Sequence, residues 1–157
     1  MASWPVTADG TASAQRVSGG ADRKNERRRA LVLLVDDYED CRDMYGAGLA
    51  LAGVDVVTAR DGLEAIEVAR RVIPDLILMD LGLPGIDGCE ATRLLKRDPR
   101  TAAVPVVALT AQPLPGDPRS LHKRGFEDVI FKPCLPDTLA EYVSRVLVRR
   151  HRHDVLA

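Results

Sequence analysis

The sequence lacks the features of a membrane-bound, secreted or thiolate-metal protein. No apolar run approaches the roughly 18 residues that a membrane span needs. The N-terminus has no charged start followed by an apolar core, as a secretory signal would have. The three cysteines, Cys41, Cys89 and Cys134, lie far apart and match no zinc or redox spacing. These absences predict reduced thiols in a cytoplasmic protein without membrane insertion.

Strong net charge is also absent, because the formal net charge is only −1. Bulk charge therefore gives no reason to expect a nucleic-acid partner. Residues 1–29 differ from the rest, with six Lys or Arg against three acids and almost no apolar clustering. We predict a disordered basic N-terminal tail at 1–29, a domain at 30–149 and a C-terminal tail at 150–157. The basic run at residues 27–29 is either a contact for an acidic partner or, more simply, a solvated flank.

From Ala30 onward, strand patterns alternate with helix patterns. The apolar runs predict strands at 31–35, 54–58, 75–79, 104–109 and around 129–131. Helical spacing and caps predict helices at 39–52, from the N-cap Asp61 to Pro74, from the N-cap Asp87, and along an apolar stripe at 135–147. Strand–helix alternation repeated five times implies an α/β protein with a parallel sheet and helices on both faces.

Polar side chains follow the predicted strands at their carboxyl ends. Asp36 and Asp37 follow the first strand and Asp80 the third, while Thr110 ends the fourth and Lys132 the fifth. In an open parallel sheet these ends share one edge, where ligands bind. Three carboxylates suit a hard divalent cation such as Mg²⁺, and a hydroxyl with an ammonium group suits a phosphoryl group. The sequence therefore predicts phosphate chemistry at an aspartate.

Four motifs occur in a specific order: Asp36-Asp37, the stretch from Asp80 to Gly88, Thr110-Ala111 and Lys132-Pro133. Together they resemble the receiver domain of bacterial two-component response regulators, over roughly residues 30–149. The resemblance is to a stand-alone receiver of the chemotaxis-regulator type. It implies a flavodoxin-like (βα)5 doubly wound parallel sheet of strand order 2-1-3-4-5. It also implies a cis bond before Pro133.

The same resemblance implies a metal site. Asp37 and Asp80 would ligate Mg²⁺ through their carboxylates, together with the main-chain carbonyl of Gly82. Asp36 would act through a metal-bound water. These expectations match the preference of Mg²⁺ for oxygen ligands and retained waters.

The phosphoryl site is implied in the same way. Asp80 would take a phosphoryl group from a histidine kinase or a histidine phosphotransfer protein. Lys132 would pair with the phosphoryl oxygens, and Thr110 would bond to them after activation. Leu81 and Ala111, the residues that follow the acceptor and the threonine, would also contact the phosphoryl group.

These expectations describe a single-domain response regulator that signals by phosphorylation-dependent binding to a downstream protein. It would catalyse only its own phosphoryl transfer and dephosphorylation, so it would not be an enzyme in the usual sense. One alternative is a receiver-like docking module that works without phosphorylation, which the intact acidic set argues against. Another is an aspartate-dependent hydrolase, which would want a second acid where Gly82 stands.

Three features depart from the family pattern, and one of them is Gly82, a small residue two positions after Asp80 that would shield a phosphoryl group little from water. Three residues before Lys132, where the family often has Tyr or Phe, the chain has Val129. Three prolines, Pro113, Pro115 and Pro118, occupy the segment after Thr110. Prolines cannot supply backbone donors, so we expect a short fourth helix that begins near Pro118 with Asp117 as its cap.

Overall fold

The secondary structure alternates strictly between strands and helices in the computed structural model, which describes residues 28–112, 117 and 119–156. The strands are β1 (Leu31–Val35), β2 (Asp55–Ala59), β3 (Leu76–Met79), β4 (Val106–Thr110) and β5 (Asp128–Phe131). The helices are α1 (Glu39–Leu51), α2 (Gly62–Val72), α3 (Gly88–Arg97), α4 (Arg119–Lys123) and α5 (Pro136–Leu156).

All five strands pair in parallel in the order β2-β1-β3-β4-β5, which confirms the predicted flavodoxin-like sheet. β1 lies between β2 and β3, with Leu33 opposite both Val57 and Ile77. The inner strands β1, β3 and β4 are almost wholly buried because helices cover both of their faces. This explains why these strands read as continuous apolar runs instead of alternating patterns.

The core consists of two clusters, one on each face of the sheet. Successive residues of β1 alternate between them, Leu33 and Val35 facing one cluster and Val32 and Leu34 the other. The first cluster includes residues of α2, α3 and α4, and the second includes residues of α1 and α5. The alternation follows from the two-residue period of a strand, which sends neighbouring side chains to opposite faces.

Most predicted boundaries agree with the structure to within two residues, but the C-terminal end differs. α5 continues to Leu156, so residues 150–156, which we assigned to a tail, are helical. Arg150 helps to hold this extension, because its guanidinium donates to the Glu127 carboxylate at 2.7 Å and to the Ala103 carbonyl at 2.9 Å. The helices of the described ranges do not include one with the length and apolar character that crossing a bilayer requires.

The basic run at 27–29 contacts the domain itself where the structure describes it. The guanidinium of Arg28 donates to the Asp75 carboxylate at 2.8 Å, and Arg29 lies 3.7 Å from the carboxylate of Asp55. Asp75 also accepts a hydrogen bond from the Leu31 amide at 2.7 Å. Arg28 and Arg29 therefore flank the first strand as ion-pair partners, while the predicted tail up to residue 27 lies outside the described residues.

Helix α4 is short, as the sequence predicts. Its five residues follow Asp117, whose carboxylate accepts a hydrogen bond from the Arg119 amide at 2.9 Å. The three prolines used in the prediction lie outside the described residues. Leu121 is the buried anchor of α4, and it packs into the cluster shared with α2 and α3.

The N-terminus of α2 provides a test of the capping prediction. The Asp61 carboxylate accepts a hydrogen bond from the Glu64 amide at 2.8 Å, as expected for an N-cap. We expect Asp61→Ala to lower the free energy of unfolding by about 1 kcal/mol, because that amide loses its partner. Urea denaturation measures the change. The control Asp61→Asn keeps an acceptor oxygen and should remain within a few tenths of the wild-type value; an equal loss in both variants would contradict the capping role.

Candidate functional site

Three carboxylates meet at the carboxyl edge of the sheet, where β1 and β3 end. Asp36, Asp37 and Asp80 each offer an oxygen, and these oxygens all lie within 4.8 Å of one another. The sheet hydrogen bonding extends just past the strand ends, because the Asp36 amide donates to the Ala59 carbonyl at 3.1 Å and the Asp80 amide to the Val35 carbonyl at 3.0 Å. Regular strand geometry therefore fixes the main chain of both aspartates.

Lys132 joins this cluster from the edge strand on the far side of the sheet. Its ammonium group donates to the carboxylate of Asp36, which is completely buried, and to that of Asp80 at 3.2 Å. Burial alone would lower the pKa of Lys132, but the hydrogen bond to Asp36 and the charges of Asp80 and Asp36 outweigh it and raise the pKa. Lys132 is thus a fixed cation at neutral pH, and it offsets part of the negative charge of the cluster.

The carboxylate of Asp80 occupies the centre of the site. One oxygen accepts from the Gly82 amide at 3.0 Å and the other accepts from Lys132. Only 8% of the residue is exposed. The carboxylate is therefore largely shielded from solvent, and it lies between a cation and two further acids.

Asp37 supplies the observation that bears most directly on a metal ion. Its Oδ1 atom is buried and has no hydrogen-bond partner among the described residues. A buried carboxylate oxygen without a donor is costly unless a cation balances it. Oxygen-only donors at this spacing suit Mg²⁺, which accepts a few carboxylates and keeps several waters. The residues present therefore fit the ion that the sequence predicts.

Thr110 is also brought to the edge, one strand away from Asp80. Thr110 is fully buried, and its hydroxyl oxygen accepts a hydrogen bond from the main-chain amide of Gln112 at 3.1 Å. The Gln112 side chain reaches towards Gly82, with its amide nitrogen 3.1 Å from the position that a Cβ of Gly82 would take. Sequence reasoning missed Gln112, for which the only signal was its position two residues after the threonine.

The remaining predicted contacts flank these groups. Leu81 follows Asp80 and packs partly into the core, and its carbonyl accepts a hydrogen bond from the Gly88 amide at 3.1 Å. Ala111 is exposed beside Thr110. Arg42, which the sequence did not suggest, donates to the Asp36 carbonyl at 2.7 Å and so braces the loop after β1. The roles of Leu81, Gly82 and Ala111 towards a phosphoryl group stay predictions.

The structure also describes two features of the chain in and after β5 that the sequence singled out, namely the bond before Pro133 and Val129. The Lys132–Pro133 bond is cis, as the resemblance implies. Val129, which stands where an aromatic is usual, packs partly buried against the cluster of α2, α3 and α4. The neighbouring Phe131 is 52% exposed. Val129 is therefore a core contact, and its short side chain has no aromatic ring to move.

Gly88 packs closely against the main chain of Asp80 and Leu81, and this contact yields a prediction. A Cβ atom at Gly88 would lie 2.1 Å from the Asp80 carbonyl oxygen and 2.9 Å from the Leu81 Cα atom. Because the blocking atoms belong to the main chain, Gly88→Ala should force the segment at Asp80 and Leu81 to shift and should lower the free energy of unfolding by roughly 2 kcal/mol. Thermal denaturation with and without Mg²⁺ measures this. Gly46→Ala is the control, since its Cβ would meet only ordinary contacts; equal stability of both variants would refute the close approach.

Comparison with known proteins shows which family has this sequence and fold. The model of the response regulator receiver domain matches residues 32–144. The polar-differentiation response regulator DivK of Brucella anthropi is 38% identical over 116 residues, which cover 74% of this chain and 94% of the relative. The DivK protein of Brucella ovis has the same identity and the same coverage.

Solved structures agree with the sequence comparison. The chemotaxis response regulator CheY4 of Vibrio cholerae superposes with a TM-score of 0.70 at 31% identity, over 75% of this chain and 98% of that chain. A response regulator from Desulfuromonas acetoxidans gives a TM-score of 0.67 at 30% identity, over 75% and 96%. From the sheet order, the acidic edge with its lysine, and these matches, we conclude that the chain belongs to the response regulator receiver family.

Proposed function

We propose that Asp80 accepts a phosphoryl group from a histidine kinase or a histidine phosphotransfer protein, in the presence of Mg²⁺. The observation that carries this proposal is the position of Asp80, whose nearly buried carboxylate lies between the ammonium group of Lys132 and the acids Asp36 and Asp37. In the transfer, a carboxylate oxygen of Asp80 forms a bond to phosphorus as the bond between phosphorus and the donor nitrogen breaks.

The chain's own residues have distinct tasks in this transfer. Asp37 and Asp80, with the carbonyl of Gly82, would hold Mg²⁺, and Asp36 would contact it through water. When bound, Mg²⁺ neutralises charge on the phosphoryl oxygens. The Gly82 amide orients one oxygen of Asp80, and Lys132 is close enough to the other to pair with an added phosphoryl group.

The product would bias a conformational switch. Phosphorylation adds a charge of about −1.5 to −2 beside a buried threonine whose hydroxyl currently accepts from the Gln112 amide. If the Thr110 side chain rotates so that its hydroxyl donates to a phosphoryl oxygen, its oxygen would move away from the Gln112 main-chain amide, and Gln112 would be released. A local electrostatic change would then be passed to the segment that leads into α4.

We place this function in the cytoplasm, which the three free cysteines support. The chain would act on no separate substrate and would catalyse only the gain and loss of its own phosphoryl group. Its partners would be the phosphoryl donor and a downstream protein. The domain's acidic balance gives no support to nucleic acid as a partner.

The direct test is phosphorylation in vitro. Incubation with acetyl phosphate and Mg²⁺, or with a phosphorylated donor protein, should add one acid-labile and base-labile phosphate per chain. Intact-mass spectrometry counts the phosphates, and omission of Mg²⁺ should suppress the reaction. A chain that stays unmodified with every donor would leave the phosphorylation-independent docking module as the better interpretation.

The switch is tested separately through partner binding. With a beryllofluoride mimic of the phosphoryl group, affinity for the downstream partner should rise by at least about tenfold, and Thr110→Val should remove most of that rise because it cannot donate a hydrogen bond. Calorimetry with a partner recovered by affinity capture measures both affinities. Ser144→Ala on α5 is the control and should leave the rise intact; equal affinities of wild type with and without the mimic would exclude a switch.

A further inference from the structure

A basic groove lies between α3 and the end of α4, on a part of the surface that the acidic site does not include. Its cavity volume is about 590 Å³. Five of its lining residues are cations and only two are acids; the lining consists of Asp87, Cys89, Glu90, Arg93, Lys96, Arg97, Lys123, Arg124 and Gly125. The surplus is notable because residues 30–157 carry 16 Lys or Arg against 20 Asp or Glu.

Two of the five cations are satisfied within the fold. The Arg93 guanidinium is paired with the carboxylate of Glu90. The Lys96 ammonium donates to the carbonyls of Ala102 at 3.2 Å and Val104 at 2.6 Å. These two side chains are therefore largely engaged in contacts within the fold.

The other three cations are available. Within the described ranges, no acid lies within ion-pair distance of Arg97, Lys123 or Arg124, although Arg124 donates to the Cys89 sulfur at 3.6 Å. Arg97 ends α3, whereas Lys123 and Arg124 follow the buried anchor of α4. Arg97, Lys123 and Arg124 thus line one concavity, and none of the three forms an ion pair with a residue that the structure describes.

The main chain at the groove also permits a close approach. Gly125 has a φ of +98°, and a Cβ there would lie 2.8 Å from the Lys96 Cγ atom. Only glycine fits this turn without strain, so the turn after α4 rests directly on the lysine stem. This packing sets the distance between the cations of α3 and those at the end of α4.

We propose that this basic groove binds a diphosphate group, either as inorganic pyrophosphate or as part of a nucleoside diphosphate. Arginine matches phosphate oxygens with paired donors, and two guanidinium groups with an ammonium group suit two linked phosphoryl groups better than one. The volume lies in the range of small-molecule sites. A nucleic-acid duplex is disfavoured because the rest of the domain is net acidic.

Because the groove lies between α3 and α4, a diphosphate bound there would contact both helices. α3 is a regular helix packed on the sheet, whereas α4 has five residues and follows the segment that begins at Thr110. A ligand that holds both helices would restrain α4 in its present position. Diphosphate binding would therefore oppose a displacement of α4, and it does not require phosphorylation of Asp80.

The test is a titration of the full chain with sodium pyrophosphate at constant ionic strength in EDTA, and ¹⁵N NMR monitors the amide shifts. Without divalent ions the acidic edge repels the ligand, so this titration also separates the groove from the site at Asp80. We expect saturable shifts of amides 89–97 and 123–125. Arg97→Gln and Arg124→Gln should each weaken binding by about tenfold, whereas Arg71→Gln, an exposed arginine of α2, should not.

A parallel titration with ADP distinguishes the two sources. Tighter binding of ADP than of pyrophosphate would assign a nucleoside diphosphate, and equal or weaker binding would assign pyrophosphate itself. Shifts centred on Asp36 and Asp80, a response that does not saturate, or affinities unchanged in both arginine variants would overturn the proposal. So would an acidic peptide that shifts these amides when neither diphosphate does.

Discussion

Replacing Asp80 with Asn is expected to abolish the incorporation of phosphate from acetyl phosphate with Mg²⁺. The amide of asparagine keeps the size of the side chain and an oxygen that can accept from the Gly82 amide, but it has no anionic oxygen to attack phosphorus. The fold should therefore persist while the chemistry is lost. Intact-mass spectrometry of the variant and of wild type, at matched donor concentration, measures the effect.

The matched control for this variant is Asp43→Asn, which removes one carboxylate from an exposed position of α1. It should be phosphorylated as completely as wild type. Peptide mapping of the labile phosphate in wild type should locate it on Asp80. An Asp80→Asn variant that takes up as much phosphate as wild type, or a label on Asp36 or Asp37, would refute the assignment of the acceptor.

Mg²⁺ is expected to stabilise the protein strongly, and Asp37 should carry much of this effect. At a concentration 100 times its dissociation constant, a ligand of the native state adds about 2.7 kcal/mol to the free energy of unfolding. For a domain of this size the melting temperature should rise by roughly 5–11 °C. Asp37→Ala should abolish the rise, because its partnerless buried oxygen is then gone.

The same variant should be more stable than wild type when the metal is removed. Three carboxylates with oxygens within 4.8 Å of one another repel, and Lys132 offsets only part of their charge. Scanning calorimetry in EDTA and in Mg²⁺ gives both comparisons, and Asp43→Ala should behave as wild type in each. An unchanged Mg²⁺ response in Asp37→Ala would exclude this carboxylate as a direct ligand.

The strand order and the position of the acidic edge could be predicted because both depend on local patterns. Strands buried on both faces give uninterrupted apolar runs, and parallel pairing brings the polar residues after each run to one edge. The end of α5 could not be found in this way. Residues 151–156 are all exposed, so no apolar stripe marks them, and the Arg150 contacts depend on loops that are distant in sequence.

Features that depend on tertiary packing were also invisible in the sequence. Gln112 is placed beside Gly82 by the turn after β4, which no periodicity predicts. Arg97 and Arg124 are 27 positions apart, and only the packing of α3 against α4 makes them neighbours. The role of Gly88 depends on how closely α3 approaches the chain at Asp80, a distance that residue type alone does not set.

The position of Lys132 after the last strand determines when its cluster with Asp36 and Asp80 can form during synthesis. Asp36 and Asp80 follow β1 and β3, which pair directly, whereas Lys132 follows β5, which is added to the sheet only through β4. The carboxylates are thus made and can meet before their cation has been translated. An unfinished chain without β5 lacks the Lys132 ammonium group that partly balances these acids, and the full cluster of three carboxylates and one ammonium group forms only once the last strand has joined. We therefore expect a nascent or C-terminally truncated chain that lacks Lys132 to accept phosphate poorly, so that competence for the proposed phosphorylation would coincide with completion of the fold.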